Sequence, residues 1–345
     1  MAALPSLATD TAFVPVPVVQ DKCIMSTIAT PFEDSLAVLS KSRKTRKVIV
    51  VLSAFGDESS DETHQRVFAV GALFGNQDQW DALEVKWRAR TGDVDFHATE
   101  CDSDKGVYAS SPHADNKKLY KDLTVLLAES RLLGYGAAID LIKQNEHMKD
   151  LLPESPYYRC FGEVVIHFAE QAFLSIPQEP VKFIFDRRLE IQYNATALYD
   201  YLAKLPEWEH HSYIHDEVGF ASRKTVGVQA ADLWTREIMK HLDNIIGPVP
   251  RAKRRSMEAL EKTKRFGANL YTGDFYTGLQ QRLNDLDKSD GPGAFKRGNY
   301  KKWLIENKLG DSYATRVRYA IQYDAIQRAQ GNPTHFDDVG AGRSL

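Results

Sequence analysis

The sequence predicts an α/β fold. It is read as a mixed sheet of three antiparallel strands and then two further strands, with flanking helices and a helical C-terminal extension. Three observations carry this. Val48-Ile49-Val50-Val51-Leu52 is a continuous β-branched run, the signature of a buried central strand. Val181-Lys182-Phe183-Ile184-Phe185-Asp186 is a second apolar run of strand length. Segments with apolar residues at helical spacing alternate with such runs along the chain.

In order, residues 48–52 lead to Gly56-Asp57-Glu58-Ser59-Ser60, a break rich in turn formers. Residues 66–74 form the second predicted strand, joined to the first as a hairpin. Residues 78–90 show helical spacing through Trp80, Leu83 and Trp87, and residues 116–133 through Leu119, Leu123, Leu126 and Leu127. The third predicted strand covers residues 134–141. A strong helix follows over 157–174, then the strand 181–186, a helix over 194–204, a short strand over 212–214 and a helix over 226–241.

Three domains of differing character are expected: a disordered leader (1–47), the α/β domain (48–247) and a basic, mostly helical extension (248–345). The leader ends in the basic run Lys41-Ser42-Arg43-Lys44-Thr45-Arg46-Lys47, either a solvated linker or an arm that contacts phosphate. Between Arg251 and Lys302 there are 13 Lys or Arg against 6 Asp or Glu, with interleaved aromatic residues from Phe266 to Tyr300. Such a tail suits a nucleic-acid backbone and its bases, or a solvated helix.

Composition narrows the function classes. The chain has 345 residues, 43% hydrophobic and 26% charged, ordinary for a globular protein with a core. Its formal net charge is −3, so nucleic-acid binding would have to be local. Cys23, Cys101 and Cys160 are odd in number and widely spaced, neither a disulfide framework nor a zinc knuckle. No apolar run approaches the roughly 20 residues needed to span a bilayer. No signal-peptide pattern opens the chain, and a cytoplasmic location is expected. No phosphate-binding loop, dinucleotide fingerprint or nucleophile elbow occurs.

The candidate chemistry lies in carboxylates. Asp57 follows one buried strand and Asp186 ends another, and strand ends are where sites form in open sheets. Asp232 sits within Val228-Gln229-Ala230-Ala231-Asp232-Leu233-Trp234, a helical turn whose small neighbours suit close approach to a sheet. A buried charge there needs compensation, and Mg²⁺ or Mn²⁺ supplies it well. Three adjacent carboxylates would repel one another, and a bound cation reverses that. Taken singly, each has a plainer reading: a turn at Asp57, an ion pair with Arg187 or Arg188 at Asp186, a backbone bond at Asp232.

Gly56-Asp57-Glu58-Ser59, residues 66–74, Phe96-His97-Ala98-Thr99-Glu100, the strand ending at Asp186 and Val228-Gln229-Ala230-Ala231-Asp232-Leu233 together resemble the domain-of-unknown-function family 3800. The likeness covers roughly residues 48 to 245. It implies an RNase H-like fold and a metal-dependent nuclease or phosphoesterase. Asp57, Asp186 and Asp232 would be metal ligands at a two-metal site, with His97 and Glu100 beside them and nucleic acid, RNA or DNA, as partner. Two departures stand out. The Asp-Ser that often precedes the Gln-x-Ala-Asp-Leu segment is replaced by Phe220-Ala221-Ser222-Arg223-Lys224. The fourth carboxylate could be Glu163, on the helix before the fourth strand, or Glu100, which is preferred because it lies in an irregular stretch that shows no structural need for it. The alternative function is a non-catalytic RNase H-like module that binds nucleic acid or protein in a mobile-element or defence setting.

Overall fold

The computed structural model describes residues 52–281, apart from 93, 149–155, 176–178, 188–194, 197, 201, 204–209 and 279. The predicted leader with its basic run, residues 48–51 and the chain beyond 281 lie outside the described residues.

Strand β1 (Leu52–Ser60) pairs antiparallel with β2 (Val67–Asn76), and β2 pairs antiparallel with β3 (Leu133–Asp140). Strand β4 (Val181–Asp186) lies parallel to β1, and β5 (Gly219–Ala221) lies parallel to β4. Three antiparallel strands and then two more agree with the expected order in outline, but the fifth strand is not the segment expected. A sixth strand, β6 (Phe266–Tyr271), lies parallel to β3, giving the sheet order β5-β4-β1-β2-β3-β6.

Seven helices among the described residues complete the frame: α1 (Gln77–Thr91), α2 (Ala98–Asp102), α3 (His113–Glu129), α4 (Leu141–Met148), α5 (Pro156–Ser175), α6 (Val226–Ile246) and α7 (Arg255–Glu261). The described residues of 195–203 and of 273–281 are helical as well. Helix α1 starts at a capping box, in which Asn76 Oδ1 accepts from Gln79 N and Gln79 Oε1 accepts from Asn76 N.

Alternation along the strands sorts the core into two layers. Leu52, Ala54, Val70, Ala72, Phe74, Ala137, Phe183 and Phe185 pack with α5. Ala69, Leu73 and Ala138 pack on the other face with α1, α3 and α6. Helix α6 is buried along most of its length because the sheet, α1 and α7 enclose it. Its small residues permit the close approach: a Cβ added at Gly227 would meet the Phe55 ring at 2.5 Å.

Three expectations are corrected, and one strand was not expected. The turn formers at 56–60 stay in β1, because β2 pairs with it as far as Ser60↔Phe68. The hairpin turns at Asp61, whose Oδ1 accepts the amides of Gln65, Arg66 and Val67 at 2.9–3.1 Å. The strand expected at 212–214 is instead a 3₁₀ turn (His211–Tyr213), and the fifth strand is Gly219–Ala221. Only Ile214 bridges to Val181. Residues 97–102, read as irregular, carry the short helix α2. Beyond residue 247, between helical segments at 255–261 and 273–281, the chain adds a strand, β6, to the same sheet, since the edge of β3 offers unpaired backbone groups there.

On the α5 face, the His167 ring stacks on Tyr135 at 3.6 Å, and burial lowers its pKa to about 4. A histidine held neutral contributes stability above its unfolded pKa of about 6.5, and loses it as pH falls towards 4. Unfolding by urea at pH 7.5 and pH 4.5 should therefore show a loss on the order of 2 kcal/mol that His167→Phe removes. An unchanged pH dependence in the variant would contradict it.

Candidate functional site

Asp57, Asp186 and Asp232 are all buried, at 3%, 5% and 7% exposure. Asp57 lies within β1, paired with Gly71, rather than past the strand's end. The parallel pairing of β1 with β4 ends at Gly56↔Phe185, so Asp57 and Asp186 are the next residues on neighbouring strands. Adjacent strands run about 4.8 Å apart. Phe183 and Phe185 face α5, so Asp186 faces the α6 side. Phe55, two residues before Asp57, meets Gly227 of α6, so Asp57 faces the same way.

Helix α6 brings Asp232 to this face. Thr235, one turn further along, marks the seam. Its hydroxyl has one proton to give, and lies 2.7 Å from the carbonyl of Ala231 and 3.3 Å from those of Asp57 and Gly71. A Cβ at Gly71 would stand 2.7 Å from that hydroxyl, so the glycine lets helix and strand close here.

Each carboxylate meets donors. Asp57 Oδ1 accepts the amide of Glu58 at 2.8 Å. Asp186 Oδ1 accepts the amide of Arg187 at 2.9 Å, and its Oδ2 accepts from Arg223 Nε at 3.3 Å. Asp232 Oδ2 accepts the amide of Ala98 at 2.8 Å. His97 Nδ1 stands 3.2 Å from the same oxygen, but it is buried and not aligned for a hydrogen bond.

The structure separates the two candidates for a fourth carboxylate. Glu163 is on α5, across the sheet from α6, with Arg159 Nη1 at 3.9 Å. Glu100 is on α2, directly after the His97–Ala98 step that contacts Asp232. Its carboxylate is folded against the turn at Gly106, where a Cβ would meet Oε2 at 2.1 Å; Gly106 has φ +54, a region suited to glycine. Thus Asp57, Asp186, Asp232 and His97 share one face, Glu100 flanks it and Glu163 is on the other.

Sequence reasoning missed two contributors. Gln229, in the same helical turn as Asp232, accepts from Trp87 Nε1 at 2.9 Å and donates to the carbonyl of Arg223 at 2.8 Å. Its place within the motif was a signal, since a buried amide in an apolar turn needs partners on both sides. Asp102 closes α2 and binds Arg254 Nη1 and Nη2 at 3.0 and 2.7 Å, with Arg236 Nη2 at 3.1 Å. No local pattern linked Asp102 to Arg254, which lies 152 residues away.

Carboxylate oxygen is what Mg²⁺ and Mn²⁺ take, and Asp57, Asp186 and Asp232 come from three separate elements. Among the described residues, however, no group of three or more His, Cys, Asp or Glu is placed to hold a metal ion as it stands. No helix among them is long and apolar enough to cross a membrane.

No family model, curated protein or solved structure matches this chain.

Proposed function

We propose that the chain is an RNase H-like, metal-dependent nuclease or phosphoesterase, of the kind that the family 3800 resemblance implies. What supports this reading is that Asp57 and Asp186 follow the last β1–β4 pair on neighbouring strands, and that the buried Asp232 lies on the helix packed against the same sheet. Three consecutive antiparallel strands followed by two strands parallel to the first support the fold part of the proposal.

A divalent cation bound there would supply Lewis acidity and an activated water for phosphodiester hydrolysis. Asp57, Asp186 and Asp232 would hold it through carboxylate oxygens. The Ala98 amide orients Asp232. His97 can carry a proton on Nδ1 beside Asp232. Glu100 would reach the seam by leaving Gly106.

A second reading, a non-catalytic nucleic-acid- or protein-binding module, is favoured by the absence of a ready-made ligand group among the described residues. Calorimetric titration with Mn²⁺, followed by assays on RNA, DNA and hybrid strands, separates the two. Mn²⁺ binding with metal-dependent cleavage is expected. Nucleic-acid binding without either favours the module.

A further inference from the structure

Helix α6 carries a row of cations beyond Asp232. Asp232 meets the start of α2 through the Ala98 amide, and Arg236, one turn on, meets its end through Asp102 at 3.1 Å. Lys240 stands one turn further, and residues four apart share a helix face. Arg66 and Arg251 then flank Asp243, at 2.7 and 2.6 Å, and both reach solvent. From Arg236 to Asp243 the row runs roughly 10 Å at the rise of an α-helix.

Lys240 makes no hydrogen bond or ion pair among the described residues. The carboxylates around it are engaged elsewhere. Asp102 takes Arg254 through two nitrogens and Arg236 through one. Glu237 takes Tyr120, Ser256 and Arg254. Asp243 takes Arg66 and Arg251. Glu62, exposed on the β1–β2 hairpin, is paired with Lys105 at 3.0 Å. Yet Lys240 is half-buried, and burial, with Arg236 beside it, lowers its pKa. Arg236 is 5% exposed, and its Nε is buried with no hydrogen bond. Desolvated like charges held this close repel one another, and an added anion relieves that.

We infer that Lys240 binds a phosphate in the backbone of a single nucleic-acid strand, with Arg236 and Arg254 adding positive field behind it and Arg66 and Arg251 continuing the row. Repeating phosphates match a row of cations, whereas one small anion needs only a single pocket. In a chain of net charge −3, nucleic-acid binding requires such a local patch. The inference rests on the proposed function only for the class of partner. It requires no ion at Asp57, Asp186 or Asp232.

The test uses the full chain with Lys240→Gln, Lys240→Arg and Lys86→Gln, the last removing an exposed charge on α1. A fluorescent single-stranded oligonucleotide is titrated by anisotropy in EDTA at several NaCl concentrations. Lys240→Gln should weaken binding on the order of tenfold, the scale of one charge-assisted contact. It should also flatten the slope of log Kd against log salt by about 0.7, the share of one phosphate on a single strand. Lys240→Arg and Lys86→Gln should stay within about twofold of wild type. Wild-type affinity and slope in Lys240→Gln overturn the inference. An equal loss in Lys240→Arg, the mark of a structural role, or in Lys86→Gln, the mark of diffuse charge, overturns it too. So does a wild type that binds no oligonucleotide in EDTA; Mn²⁺-dependent cleavage by that same protein would leave the proposed function standing. Binding to phosphatidylserine vesicles in place of the oligonucleotide, lost in Lys240→Gln, assigns the row to a membrane surface and overturns the nucleic-acid inference.

Discussion

Asp57→Asn and Asp232→Asn are each expected to lower metal-dependent cleavage on the order of 10³-fold, the scale on which a transition-state charge stabiliser is lost. Both substitutions keep shape and remove charge. Asparagine at 57 can still accept the Glu58 amide, and at 232 the Ala98 amide, through its side-chain oxygen. Far-UV circular dichroism and the urea midpoint should therefore stay near wild type while Mn²⁺ affinity falls. Glu163→Gln, on the opposite face, should leave cleavage within about twofold, as expected of a substitution away from the reacting groups. Full metal-dependent activity in both aspartate variants would sink the assignment. A large loss in Glu163→Gln would restore Glu163 as the fourth carboxylate.

Arg254→Ala is expected to destabilise the protein by about 3 kcal/mol, because it breaks a buried charge network and leaves its partners behind. Glu237 is fully buried; its Oε1 accepts from Tyr120 at 2.7 Å and its Oε2 from Ser256 at 2.7 Å, with Arg254 Nε 3.3 Å away. The Arg254 guanidinium also lies over the Tyr120 ring at 5.2 Å and binds Asp102 through two nitrogens. Burial works against the charge on Asp102, but Arg254 and Arg236 more than offset it and hold its carboxyl below the ordinary range. A depressed carboxyl contributes stability above its unfolded pKa of about 3.9 and loses it as pH falls through the lower folded value. Arg254→Ala should therefore cost more at pH 7 than at pH 2.5. Urea unfolding at the two pH values measures this; a loss below about 1 kcal/mol at pH 7, the worth of a surface pair, would contradict it. The same change should loosen α2, whose five residues are too few to hold a helix alone. The His97 and Ala98 contacts to Asp232 depend on that helix.

The sequence alone made much of the frame legible. Runs such as Val181–Asp186 and periodic segments such as Pro156–Ser175 mark their elements because burial on a sheet or helix face leaves a period in the residues. Of the candidate trio, Asp186 does end a buried strand and Asp232 does sit in an apolar turn, whereas Asp57 lies within β1 rather than past its end. Local composition misled where pairing with a distant strand outweighed it. Gly56 to Ser60 carry turn formers, yet β2 keeps them extended. Residues 212–214 looked like a strand, yet β4 takes Gly219–Ala221 as its neighbour.

Which carboxylates share a face was a tertiary matter. Along the chain, local grounds alone favour Glu100 over Glu163, and only the two-sided sheet assigns them to different faces. The contacts that orient the candidate site join residues far apart: Ala98 to Asp232, Trp87 to Gln229, Asp102 to Arg254. No window of sequence holds both ends of such a pair. A local pattern can show that a charge will be buried, but the partner that makes its burial tolerable is supplied by the fold.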